Sequence, residues 1–180
     1  MTVITTDFDG LLVLEPKVFE DERGYFFESY NKAVLEKEGI GHSFVQDNES
    51  RSSYGVIRGL HMQIAPHSQT KLIRVLEGRI FDVVVDLREG SSTYGKWFGI
   101  ELSDSNKKQL LIPKGFCHGF SVLSENATVF YKCDAYYHPE AEAGIHHNDP
   151  DLNIDWKIPD THRLVSEKDS KLPFLKDFRQ

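Results

Sequence analysis

Ile80-Phe81-Asp82-Val83-Val84-Val85-Asp86-Leu87 is an eight-residue run too short and too β-branched for a helix, and it reads as a strand. Side chains alternate faces along a strand. Phe81, Val83, Val85 and Leu87 therefore share one wholly apolar face, while Ile80, Asp82, Val84 and Asp86 share the other. A carboxylate between apolar neighbours is costly unless something pairs with it. The mixed face is expected to line a polar cavity.

Short β-rich runs punctuated by turn residues lie on both sides of this strand. Strands are expected at Val3–Thr5, Leu11–Leu14, Tyr25–Tyr30, Ser43–Gln46, Val56–Leu60, Leu72–Leu76, Trp97–Leu102, Gln109–Ile112, Phe120–Leu123 and Thr128–Tyr136. One clear helix spans 31–38, with Asn31 as its N-cap and Gly39 closing it. Ser166-Glu-Lys-Asp169 has capping-box spacing and predicts a second short helix or turn. Many short strands and few helices predict an all-β jelly roll or barrel.

The 180 residues fit a single domain spanning 1–180, since nothing in them resembles a linker or repeat. Aromatics make up 12%, which favours β structure and a lined cavity. A net charge of −7 argues against a broad nucleic-acid or anionic-membrane surface, though cations can still converge locally on an anion. Cys117 and Cys133 form no CxxC motif, so reduced thiols in a cytoplasmic protein are expected. No signal peptide and no apolar stretch of membrane-spanning length is read in the chain.

Nucleophile elbow, P-loop and G-x-G-x-x-G signatures are all missing, which removes support for acyl transfer, ATP use and Rossmann-type dinucleotide binding. A metal site in a cupin-like barrel needs a His-x-His pair. His61 is followed at that spacing by Gln63, and an amide is a weak ligand for the usual transition metals. His138, His146 and His147 lie in a loop-like stretch and read as surface histidines. Acid–base chemistry by His, Tyr, Lys and carboxylates is what remains.

Phe27-Glu-Ser-Tyr30, Gln46-Asp-Asn48, Arg58-Gly-Leu-His61, Gln69-x-Lys71-Leu, Ile112-Pro-x-Gly-Phe-x-His-Gly-Phe120, Tyr131-Lys132 and Lys168-Asp169 occur in that order. Together they resemble the dTDP-4-dehydrorhamnose 3,5-epimerase family, from about Val13 to about Leu175. The resemblance implies a cupin-type jelly roll, a homodimer, and no metal or other cofactor. It implies inversion of C3 and C5 of dTDP-4-dehydro-6-deoxy-D-glucose, on the route to dTDP-L-rhamnose. Single-position epimerases acting on related sugars, and a sugar-nucleotide-binding cupin without catalysis, are the rival readings.

By the same resemblance His61 is the base that removes the proton beside the ketone, Asp169 orients its ring, and Lys71 faces the developing enolate. Tyr131 is the proton donor on the other face. Taken alone, each has a plainer reading: a satisfied strand histidine, a solvated lysine, a core tyrosine. Arg23, Arg58 and Lys168 match the surroundings of the pyrophosphate, and His118 a contact near the sugar, with Asp82 a candidate to orient it. Glu28, Gln46, Asp47, Asn48 and Glu142 match polar contacts, and Phe26 and Tyr137 are candidates to sandwich thymine. In the family the Arg23–Glu28 segment belongs to a site shared with the partner subunit. Arg58 and His61, three residues apart, cannot share a face of a regular strand, so a bulge or turn is expected at Gly59.

Overall fold

The computed structural model describes residues 1–179. Two sheets face each other. In the first, β1 (Thr2–Thr5), β2 (Leu12–Glu15), β10 (Gln109–Ile112), β7 (Lys71–Glu77), β12 (Asn126–Cys133) and β5 (Gln46–Ser53) are neighbours in that order. The second runs β13 (Glu142–Gly144), β6 (Val56–Gln63), β11 (Phe116–Val122), β8 (Arg79–Asp86) and β9 (Trp97–Ser103). A short β14 (Leu164–Val165) lies parallel to β6, and every other pairing is antiparallel. A separate hairpin of β3 (Phe19–Asp21) and β4 (Gly24–Phe26) stands outside both sheets.

Strand β8 explains the layering. Ile80 and Val84 enter the core between the sheets, with Ile73, Leu110, Ile112, Phe120 and Val129. Phe81, Val83, Val85 and Leu87 face the other way, under a cover of Ile145, Leu152, Ile154, Trp156, Ile158 and Phe178 from the C-terminal segment. At about 1.5–3 kcal/mol per buried large apolar side chain, neither face could be left to water. The outer face of the first sheet is closed by Leu35 of helix α1 (Lys32–Lys37), with Ile40, Tyr30 and Phe44 against Leu14, Leu72 and Leu111.

The two aspartates of β8 part company. Asp82 is fully buried and meets His118, which lines a cleft. Asp86, expected to line a cavity, instead accepts from Arg88, Ser91 and Thr93 and ties down the following turn. Burial works against its charge, yet these donors outweigh burial and hold the carboxyl well below the usual carboxylate range. The polar face of β8 thus serves two purposes, one of them structural.

Helix α1 is capped as expected. Asn31 Oδ1 accepts from the Val34 N–H at 3.3 Å, and Gly39 takes φ +80°. Ile40 N–H reaches Leu35 O and Gly39 N–H reaches Glu36 O, the double closure of a Schellman motif. Asp169 N–H donates to Ser166 Oγ at 3.1 Å and a single 3₁₀ turn, Asp169–Lys171, follows.

The fifth strand departs from expectation. It occupies Gln46–Ser53 rather than Ser43–Gln46. Gln46, Asn48, Ser50 and Ser52 face inward, while Asp47, Glu49, Arg51 and Ser53 are exposed. Both faces are polar, so hydrophobic periodicity carries no signal there. Similarly, Tyr25–Tyr30 does not form one strand, because β4 ends at Phe26.

Candidate active site

The site begins with an irregularity in β6. His61 lies opposite His118 and Arg58 opposite Phe120, so three steps along β6 match two along β11. The extra residue brings Arg58 and His61 to the same cleft, which a regular strand forbids. Gly59 sits in the bulge with φ +108°. A Cβ there would stand 2.6 Å from His118 O and 2.7 Å from Gly119 Cα. A Cβ on Gly119 would stand 2.6 Å from Arg58 O. The two backbones touch where side chains would otherwise be.

Into this opening comes the C-terminal turn. Asp169 Oδ1 is 2.8 Å from His61 Nε2, and Oδ2 accepts from the Gly59 N–H at 3.1 Å. Burial opposes the charge on Asp169, but the bonds from His61, Gly59 and Ser166 prevail and keep its carboxyl below the usual value. An ionised carboxylate only accepts, so Nε2 of His61 is the donor in this pair and Nδ1 stays outside it.

From the facing sheet come Lys71 and Tyr131. The Lys71 ammonium lies 6.0 Å from the centre of the Tyr131 ring. Burial pushes the lysine down and the tyrosine hydroxyl up. A cleft of about 510 Å³ is lined by Arg58, His61, Lys71, His118, Tyr131, Lys168 and Asp169, among others. Ser50 and Phe120 also line it and do not belong to the expected set. The inward alternation of β5 through Gln46 and Asn48 continues to Ser50, and also to Ser52, whose Oγ accepts from Arg58 Nε at 2.9 Å.

A second cleft of about 290 Å³ shares His61, Lys71 and Tyr131 and adds Gln46, Asn48, Tyr137 and Glu142. Glu142 accepts from Lys168 Nζ at 2.5 Å and from the Tyr137 hydroxyl. The Tyr137 N–H in turn donates to Gln46 Oε1 at 3.1 Å. Eleven of the fifteen expected residues therefore surround one pair of connected clefts.

The other four do not reach it within this chain. Asp47 points to the outer face of β5, where Lys132 Nζ binds it at 2.9 Å. Arg23 is paired with Asp21, Phe26 is 68% exposed, and Glu28 accepts from Asn31 Nδ2. All three lie on or just after the β3–β4 hairpin. Nor are the loop histidines simple surface residues: His138, His146 and His147 are half-buried. Burial pushes the His147 imidazole down to about 4.

These features outline a cleft equipped for acid–base chemistry on a cupin-type jelly roll, with titratable side chains brought to it from two facing sheets. Comparison with known proteins makes the class particular. The family model for dTDP-4-dehydrorhamnose 3,5-epimerase matches residues 5–177. The dTDP-4-dehydrorhamnose 3,5-epimerase of Escherichia coli is 52% identical over 174 residues, covering 96% of this chain and 93% of the relative. That of Methanothermobacter thermautotrophicus is 52% identical over 167 residues, covering 92% and 90%. A Legionella pneumophila epimerase solved in complex with dTDP-4-keto-L-rhamnose superposes with a TM-score of 0.94 at 49% identity, covering 99% and 94%. The chain belongs to the dTDP-4-dehydrorhamnose 3,5-epimerase family and is an isomerase.

Proposed function

We propose that this chain inverts C3 and C5 of dTDP-4-dehydro-6-deoxy-D-glucose, giving dTDP-4-dehydro-L-rhamnose for dTDP-L-rhamnose biosynthesis. The observation that carries this reading beyond family membership is the His61–Asp169 pair facing Tyr131 and Lys71 across one cleft. Removing a proton beside a ketone needs a base, a group to stabilise the enolate oxygen, and an acid for the opposite face.

His61 serves as the base through Nδ1, because Asp169 occupies Nε2 and fixes the tautomer. The Lys71 ammonium, half-buried in the cleft wall, stabilises the enolate oxygen. Tyr131 returns the proton. It stands on β12 while His61 stands on β6, so the two approach from opposite sheets, and burial keeps the phenol protonated. His118, held by Asp82, contacts the sugar.

Arg58 and Lys168 supply positive charge for the pyrophosphate, while Gln46, Asn48 and Glu142 provide polar contacts and Tyr137 stacks on thymine. The active form is a homodimer. Its support is the β3–β4 hairpin, which carries Arg23, Phe26 and the nearby Glu28 away from their own cleft with Phe19, Tyr25 and Phe26 exposed. Delivered to the partner's cleft, Arg23 would join the pyrophosphate site and Phe26 the thymine sandwich. Asp47, which faces away from its own cleft, would act across that interface. Two free buried cysteines fit a cytoplasmic location.

Proton NMR of the keto-sugar nucleotide in D₂O with the purified protein tests the reaction. Deuterium should enter at both C3 and C5 with inversion at each. Exchange confined to one carbon would make the chain a single-position epimerase, and no exchange at either would refute catalysis.

A further inference from the structure

Outside the clefts, one cluster of side chains has the composition of a metal site. His67, His138 and Glu140 each present one ligand atom, and all three atoms lie within 4.8 Å of one another. None of the three lines either cleft. We propose that these residues bind a divalent transition-metal ion, of the zinc class, at a two-histidine, one-carboxylate site separate from the reaction centre.

Three features of the local structure favour such a site. First, backbone bonds set the two contributing turns in place. Ile64 N–H donates to Ala141 O at 2.9 Å, His67 N–H to Ile64 O at 3.0 Å, and Ala141 N–H to His138 O at 3.1 Å. The His138 N–H donates to Gln63 Oε1 at 2.8 Å, which joins one turn to the end of β6. Most of the ordering cost of bringing the ligands together is therefore met by the fold.

Second, the side chains already converge. The His67 and His138 rings stack with centroids 3.6 Å apart and planes 25° from parallel. His138 Nδ1 lies 3.1 Å from Glu140 Oε1. Glu140 adds a carboxylate oxygen to the two imidazoles, the mixed donor set that borderline divalent ions accept.

Third, the remaining adjustment is small. Zinc needs ligand atoms about 2.0–2.2 Å from the ion, so the donors must draw inward and the rings splay. Both rings are only half-buried and the Glu140 side chain is 70% exposed, which leaves them free to rotate. Two imidazoles and a carboxylate suit Zn²⁺, Co²⁺, Ni²⁺ or Cu²⁺ far better than Mg²⁺ or Ca²⁺. Solvent would complete the coordination. An ion here would clamp the turn at His67 to the turn at His138, beside Gln63 and Tyr137 of the second cleft.

Titration of EDTA-treated protein with Co²⁺, followed by its visible absorption, tests the site, with Zn²⁺ competition to verify it. One ion should bind per chain, and saturating Zn²⁺ should raise the melting temperature. Glu140→Gln, at an exposed position that does not threaten folding, should weaken binding by more than the ~10–100-fold typical of losing an outer-shell partner. His138→Ala should abolish it, and His61→Asn should leave it unchanged. Absence of binding, binding that persists in both Glu140→Gln and His138→Ala, or binding lost in His61→Asn would each overturn the proposal.

Discussion

The Nε2 atom of His118 lies 3.0 and 3.1 Å from the two carboxylate oxygens of Asp82, on the adjacent strand. Asp82 is fully buried between apolar neighbours, and His118 forms part of the cleft wall. The contact thus fixes a cleft residue through a group that lines neither of the two clefts. Removing the ring strands the carboxylate. His118→Phe should cost on the order of 3 kcal/mol of folding stability by urea denaturation, as expected for a buried polar pair broken on one side. Adding Asp82→Leu should recover much of that loss. A double variant no more stable than His118→Phe alone would show that the pair is not energetically coupled.

His61→Ala should abolish deuterium exchange at both sugar carbons while dTDP still binds, because the ring is assigned to proton removal rather than to nucleotide contact. Asp169→Asn should be milder. Its amide can donate to Nε2 and so favour the wrong tautomer, costing at least ~10-fold in kcat. Calorimetric dTDP binding beside NMR exchange separates the two effects. Near-normal exchange in His61→Ala would remove the central assignment.

Tyr131→Phe keeps the ring's shape, so packing against the core should survive. Its deficit should fall on product formation, by the ~10²–10⁴-fold typical of one general acid, more than on exchange with retention. Deuterium wash-in is to be compared with the appearance of product. Equal loss in both would make Tyr131 a group that positions the substrate.

The pH profile should identify Lys71. Burial lowers this lysine, so its charge is lost at a lower pH than the ordinary value near ~10.4, whereas burial raises Tyr131, which holds its proton longer. Both shifts favour loss of the ammonium over loss of the phenol proton as pH rises. The alkaline limb of kcat/KM should follow Lys71, and Lys71→Arg, charged throughout the accessible range, should move that limb upward even at reduced rate. An unmoved limb would assign it to another group.

Part of the architecture was legible because β8 advertises it: its wholly apolar face requires a cover, which Ile145, Leu152 and Trp156 provide, whereas the mixed face, read as cavity lining, also gives Ile80 and Val84 to the core between the sheets. The motifs bring His61, Lys71, Tyr131 and Asp169 forward by resemblance, and the structure gathers these four around one cleft. Strand β5 was misplaced because its inward side chains are Gln, Asn and Ser, chosen by the cleft rather than by a core. His61 and Asp169 lie 108 residues apart, and no local pattern announces such a meeting. The placement of Arg23 and Phe26 outside their own cleft was anticipated only by resemblance, since an exposed hairpin and a shared one have the same sequence signature.

The contact between Gly59 and Gly119 has a bearing on how this sequence can change. Each position excludes a side chain because of main-chain atoms on the other strand, and main-chain atoms are not removed by mutation. An alanine at either place cannot be rescued by trimming a neighbour, and altering both together compounds the collision. Random mutagenesis with selection for suppressors should therefore return true revertants at these two sites, where at Phe120 or Val122 it would return compensating changes. The two glycines thus act as a lock with two keys on one ring: neither position can gain a side chain while the strands keep this contact.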